Sequence, residues 1–116
     1  MNIGVSNLIT HIKQPNEVLP IDISFGKLHI LPRGAKEIIE TQATAKRWKR
    51  KFPNQVEDAN TFLVSSTPLV LAPQKTSVRV IVAGGEDDYD YQVTILVTFD
   101  NLARLEQEIF VRVRED

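Results

Sequence analysis

The stretch Tyr91-Gln92-Val93-Thr94-Ile95-Leu96-Val97-Thr98-Phe99 decides the fold. Its odd positions are all apolar or aromatic, and this period-two alternation marks a half-buried strand. A helix would set Val93 and Val97 on one side and turn Ile95 to the other. The same alternation continues outward. In Ser77–Ala83, Val78, Val80 and Val82 share a face. After Asp100-Asn101, Leu105, Ile109, Val111 and Val113 point one way and Glu106, Glu108, Arg112 and Arg114 the other. Gly84-Gly85 accepts positive φ, and Asp100-Asn101 suits a hairpin. The three runs are expected to form an antiparallel meander.

Upstream the pattern loosens. Leu69-Val70-Leu71, bracketed by Pro68 and Pro73, fits an edge or sheet-switching strand. Asn60–Val64 is expected as a further strand, and polar residues 49–59 with Pro53 as a loop. Between Glu37 and Trp48, Ala, Lys and Glu favour helix. Yet Ile39, Thr41, Ala43 and Ala45 alternate against polar neighbours, so the segment reads as strand. Leu31-Pro32-Arg33-Gly34 places Pro and Gly as in a type II turn. Ile21-Asp22-Ile23-Ser24-Phe25 alternates again. About seven short strands at roughly 10-residue spacing predict an all-β fold, an immunoglobulin-like antiparallel β-sandwich. The sandwich is expected over residues 20–116, preceded by an N-terminal arm, residues 1–19. That arm either stays extended or adds a strand through Val5, Leu8 and Ile12. Tyr91 sits where such sandwiches place a Tyr whose hydroxyl bonds nearby backbone.

Composition narrows function. The chain has 116 residues, and 14 Lys+Arg against 15 Asp+Glu leave a net charge of −1. That balance provides no general pull toward nucleic acid or anionic membrane, so neither is expected as a partner. Cys is absent, which removes disulfides, thiol catalysis and Cys-ligated zinc. No apolar run reaches the ~18 residues of a membrane span. Met1–Asn7 lacks the basic and apolar regions of a secretory leader, so none is expected.

Candidate chemistry is sparse. His11 and His29 lie in different segments without acidic neighbours at ligand spacing, which favours ordinary surface roles over metal or catalysis. No nucleophile elbow surrounds Ser65, Ser66 or Ser77, and no phosphate-binding Gly pattern occurs, so no enzyme and no cofactor are expected. Glu86, Asp87, Asp88 and Asp90 form the densest acidic cluster. Asp87, Asp88 and Asp90 offer oxygens for Ca²⁺, but their spacing matches no EF-hand, and solvation or a basic partner explains them as well. Lys46-Arg47-Trp48-Lys49-Arg50-Lys51 is the densest basic run and holds the only Trp. Phosphate contact, a nuclear-import address, a solvated loop and a docking edge for an acidic protein surface all compete for it. Trp and Arg enrichment at interface hot spots favours docking over nucleic acid. On this reading the two charged segments occupy separate loops and present opposite faces to neighbours.

Two stretches together resemble a family of small bacteriophage virion proteins with an immunoglobulin-like sandwich, the fiber–tail or head–tail adaptors. One is Lys13-Gln14-Pro15-Asn16-Glu17-Val18-Leu19-Pro20-Ile21-Asp22-Ile23-Ser24, followed by Leu31-Pro32-Arg33-Gly34. The other runs from Val78, Val80 and Val82 through Gly84-Gly85 to Tyr91, Val93, Val97-Thr98, Glu106 and Glu108. The resemblance covers about residues 13 to 115, in turn and strand punctuation. It departs at Ile21, where an aromatic is common, at Phe25, which is shifted from the usual Trp, and in the long basic insertion around residues 49–60. It implies a non-enzymatic adaptor linking neck, tail or fiber components, in multiple copies, within a virion assembled in the host cytoplasm. A capsid decoration protein on the same fold and a calcium- or carbohydrate-binding sandwich module are the alternatives.

Overall fold

The structure is a computed structural model and describes residues 9–28 and 31–115. Those residues form eight strands: β1 (Ile9–Lys13), β2 (Val18–Ser24), β3 (Ile38–Lys49), β4 (Glu57–Asp58), β5 (Leu69–Leu71), β6 (Ser77–Ala83), β7 (Tyr89–Phe99) and β8 (Arg104–Val113). A single helical turn, α1 (Phe25–Leu28), follows β2, and a 3₁₀ turn spans Asn60–Phe62. One sheet has the order β1-β8-β7-β3-β4 and the other β2-β6-β5. Two sheets face to face make the expected sandwich. The connectivity is that of an immunoglobulin domain whose first strand joins the larger sheet.

The decisive alternation holds. Tyr91, Val93, Ile95, Val97 and Phe99 are all buried, as are Val78, Val80 and Val82 on the facing sheet. Full burial of such side chains contributes about 1.5–3 kcal/mol each. β3 covers the ambiguous segment as a 12-residue strand with Thr41, Ala43 and Ala45 inward, but a register shift between Ile38 and Glu40 buries Ile38 and leaves Ile39 exposed, against the expected alternation. β5 is Leu69–Leu71, at the edge of its sheet. At residues 32–35 Ala35 N–H donates to the Pro32 carbonyl at 2.8 Å and Gly34 takes φ 85°, so the tight turn lies one residue beyond the predicted frame.

Four expectations are corrected. The last three runs are no meander, because β6 pairs with β2 and β5 while β7 pairs with β3 and β8. Alternation tells which side of a strand is dry, not which sheet it joins. Asn60–Val64 is no strand; it is the 3₁₀ turn plus one bridge, Leu63 to Val82. The turn aims the Asn60 carboxamide oxygen at the Ala45 N–H, 2.8 Å away, and buries Phe62. Within the 49–59 loop, Glu57 and Asp58 pair with Arg47 and Lys46 as β4. The sandwich is not wholly antiparallel, since β1 runs parallel to β8, Ile9 opposite Ile109 and Lys13 opposite Val113. Within the expected arm, residues 9–13 are thus strand and 14–17 a turn, and β2 already begins at Val18.

The crossing from β1 to β2 is tied down by Lys13, which is 1% exposed. Its ammonium donates to the carbonyls of Gln14, Pro15 and Gly84, using all three protons. Burial lowers its pKa and nearby Glu17 partly offsets that. The β6–β7 connection holds the other end of this tie. Gly84 and Gly85 take φ 70° and 95°, and a Cβ on Gly85 would lie 2.9 Å from Val113 Cγ2 and 3.0 Å from the Phe62 ring. Gly84 has open space beside it. Gly85→Ala is therefore expected to lower unfolding free energy by about 2 kcal/mol or more and Gly84→Ala by about 1. Urea denaturation of the two variants reads the difference; equal losses would contradict the packing argument.

Candidate functional site

The densest polar constellation sits where β3, β4 and the β6–β7 connection meet at one end of the sandwich. Arg47 continues the inward row of Thr41, Ala43 and Ala45 to the point where the core runs out. Its guanidinium donates to Glu57 at 2.6 Å, Glu86 at 2.9 Å and the Tyr91 hydroxyl at 3.2 Å, and it lies 4.2 Å from the Tyr89 ring centroid. The Tyr91 hydroxyl also accepts the Glu86 N–H at 3.0 Å, the backbone bond expected of it. The Tyr91 hydrogen bond, with those of Glu86 and Glu57, holds the Arg47 pKa well above its ordinary value. Below, Tyr91 stacks on Phe62 at 4.0 Å between centroids. Arg47, Asp58, Phe62, Gly85, Glu86 and Tyr91 help line an open cleft of about 410 Å³.

A second cluster adjoins it. Arg50 reaches Asp88 at 3.2 Å, Asp90 at 3.6 Å and Asp87 at 3.9 Å. Arg112 meets Asp90 at 3.0 Å, and Asp87 accepts the Glu115 N–H at 3.0 Å. Arg47 and Arg50 of the basic run therefore fold onto the acidic turn, and the two segments adjoin at one end instead of presenting opposite faces. β3 and β7 pair in register at this end, Arg47 opposite Tyr91 and Lys49 opposite Tyr89, which forces their flanking charges together. Exposed pairs of this kind contribute little singly, but a network fixes side-chain geometry.

The remaining candidates scatter. Lys46, Lys49 and Lys51 are exposed. Trp48 stands on the outer face of the larger sheet, edge-on to Phe110 at 6.3 Å. Ile12 is exposed on β1, while Val5, Leu8 and His29 lie outside the described residues. The calcium candidates Asp87, Asp88 and Asp90 all face guanidinium groups, and no three metal-ligating side chains converge among the described residues. Sequence reasoning missed Lys13, Glu57, Phe62 and Arg112 in this end cap. Only Lys13 carried a signal, as part of the quoted opening stretch.

Tyr91→Phe leaves the Glu86 N–H without its acceptor and is expected to cost about 1–2 kcal/mol in urea unfolding. No measurable loss would remove the hydroxyl from the closure. His11 tests the opposite edge. Its Nε2 is shielded and meets no partner among the described residues, and burial lowers its pKa below 6.5. As pH falls below that value the unfolded chain takes the proton first, so stability declines until the folded-state pKa is passed. His11→Leu should flatten this part of the pH profile; an unchanged profile would contradict it. No protein-family model matches the chain, and no curated protein matches it closely enough to count as a relative.

Proposed function

We propose that this chain is a non-enzymatic virion structural protein, an adaptor that joins neck, tail or fiber components through protein–protein contacts and acts in multiple copies. The observation that carries the reading is the edge strand β1. It ends the five-stranded sheet, no strand pairs with its other side among the described residues, and Ile12 on it is 64% exposed. An open strand edge takes up a partner strand through backbone hydrogen bonds. The polar end supports the same reading, because its charges are engaged with one another and act as a rigid cap. The resemblance of the opening stretch and closing strands to phage adaptors supplies the setting, a virion assembled in the host cytoplasm. Repetition in a symmetric assembly lets modest contacts add through avidity.

The test is particle composition. Particles banded from cells that carry the gene are expected to contain peptides of this chain by mass spectrometry, and loss of the gene should leave heads without attached tails or fibers. Peptides confined to the soluble fraction, with complete particles after gene loss, would overturn the proposal.

A further inference from the structure

The outer face of the three-stranded sheet differs from that of the larger one. The larger sheet turns Glu40, Gln42, Thr44, Lys46, Thr94, Glu106 and Glu108 outward among Trp48, Phe110, Leu96 and Ile12, so its outer face mixes polar and apolar side chains. The small sheet instead turns out Val18 and Pro20 from β2, Ile81 and Ala83 from β6, and Leu69 from β5. Val64 extends this face, because its N–H donates to the Ile81 carbonyl at 2.9 Å beside the Leu63–Val82 bridge. Val18, Val64 and Leu69 are 60%, 59% and 61% exposed. Val64, Leu69, Arg79 and Ile81 border a shallow dimple of about 90 Å³.

Within this apolar field stands one charge pair. Arg79 donates to both oxygens of Asp22, at 2.7 and 3.0 Å, directly across the β2–β6 register. Both side chains stay about half exposed, 42% and 50%. The face is thus apolar, electrically neutral and dipolar across its two strands.

We infer that this face is a twofold self-association surface, and that its occupant is a second copy of the same chain. Charge complementarity selects that occupant. A twofold axis lying in the contact plane along β2 and β6 exchanges residues that share a register row. It sets Asp22 of each copy over Arg79 of the other and Pro20 over Ile81, with Val18 over Ala83. A twofold contact needs such a patch, in which residue i meets j and j meets i. The face spans roughly 20 Å by 20 Å from strand rise and spacing, so each copy buries less than the ~800 Å² of a standard interface. The dimer is accordingly weak and concentration-dependent. The inference stands apart from the virion proposal, since the purified chain alone tests it.

Sedimentation velocity on the full chain, from micromolar to millimolar concentration, is expected to show reversible growth toward dimer. Asp22→Arg and Arg79→Asp each place two like charges on the patch and should weaken dimerisation about tenfold or more. An equimolar mixture of those two variants should dimerise again, because the patches are then complementary. Both positions are exposed, and circular dichroism melts check that each variant folds. Val18→Glu should also disperse the dimer. A wild-type chain that stays monomeric at millimolar concentration would overturn the inference. So would a dimer that none of the three substitutions weakens, or a mixture no more associated than its components.

Discussion

Tyr91, Val93, Ile95, Val97 and Phe99 stand on one face of β7, and that face is dry only while the second sheet covers it. β7 is bonded on both sides, to β3 and β8, so its backbone is satisfied wherever the small sheet sits. The facing row, Ile21 and Ile23 from β2 with Val78, Val80 and Val82 from β6, has no other place to hide. Neither sheet is viable alone, and their mutual cover sets the positions of the connections. The β6–β7 connection crosses from one layer to the other, and its Gly85 admits Phe62 and Val113 where a side chain would collide.

Covering the faces leaves two ends and several edges to manage. At one end, the inward row of β3 finishes in Arg47, too long and charged for the core, and the Tyr91 hydroxyl with two glutamates receives it. Along the free side of β3, backbone from residues 59–68 takes the place of a further strand. Ala43 N–H donates to the Ser66 carbonyl at 2.8 Å, Thr41 Oγ1 to the Pro68 carbonyl at 2.6 Å, and Ala59 N–H to the Ala45 carbonyl at 3.0 Å. A two-residue β4 suffices because this segment completes the edge.

What sequence patterning could show follows from what it encodes. Alternation in Ser77–Ala83 and Tyr91–Phe99 reports which side chains are dry, and those residues are the core. Pro68 and Pro73 mark β5 as an edge because proline lacks a ladder donor. Sheet membership of β6 is a pairing between distant segments and leaves no local trace. The same holds for Arg47 with Glu86, 39 residues apart, and Arg50 with Asp88, 38 apart. Composition places such charges on loops; only the β3–β7 register shows that the loops touch. Lys13 looks like a solvent residue by type, and three carbonyls with nearby Glu17 make its burial tolerable.

The parallel pairing of β1 with β8 also has a mechanical meaning. The chain enters β1 beside Ile109, in the middle of β8, and leaves β8 beside Lys13. Tension applied through the two ends would therefore run along both strands in opposite senses. The ladder from Ile9 to Lys13 would be loaded in shear, with its bonds sharing the force together. A hairpin pulled from its open end would instead peel one bond at a time. The Lys13 ammonium, anchored to the Gly84 carbonyl, adds a transverse tie at the point where the strained strand leaves the sheet.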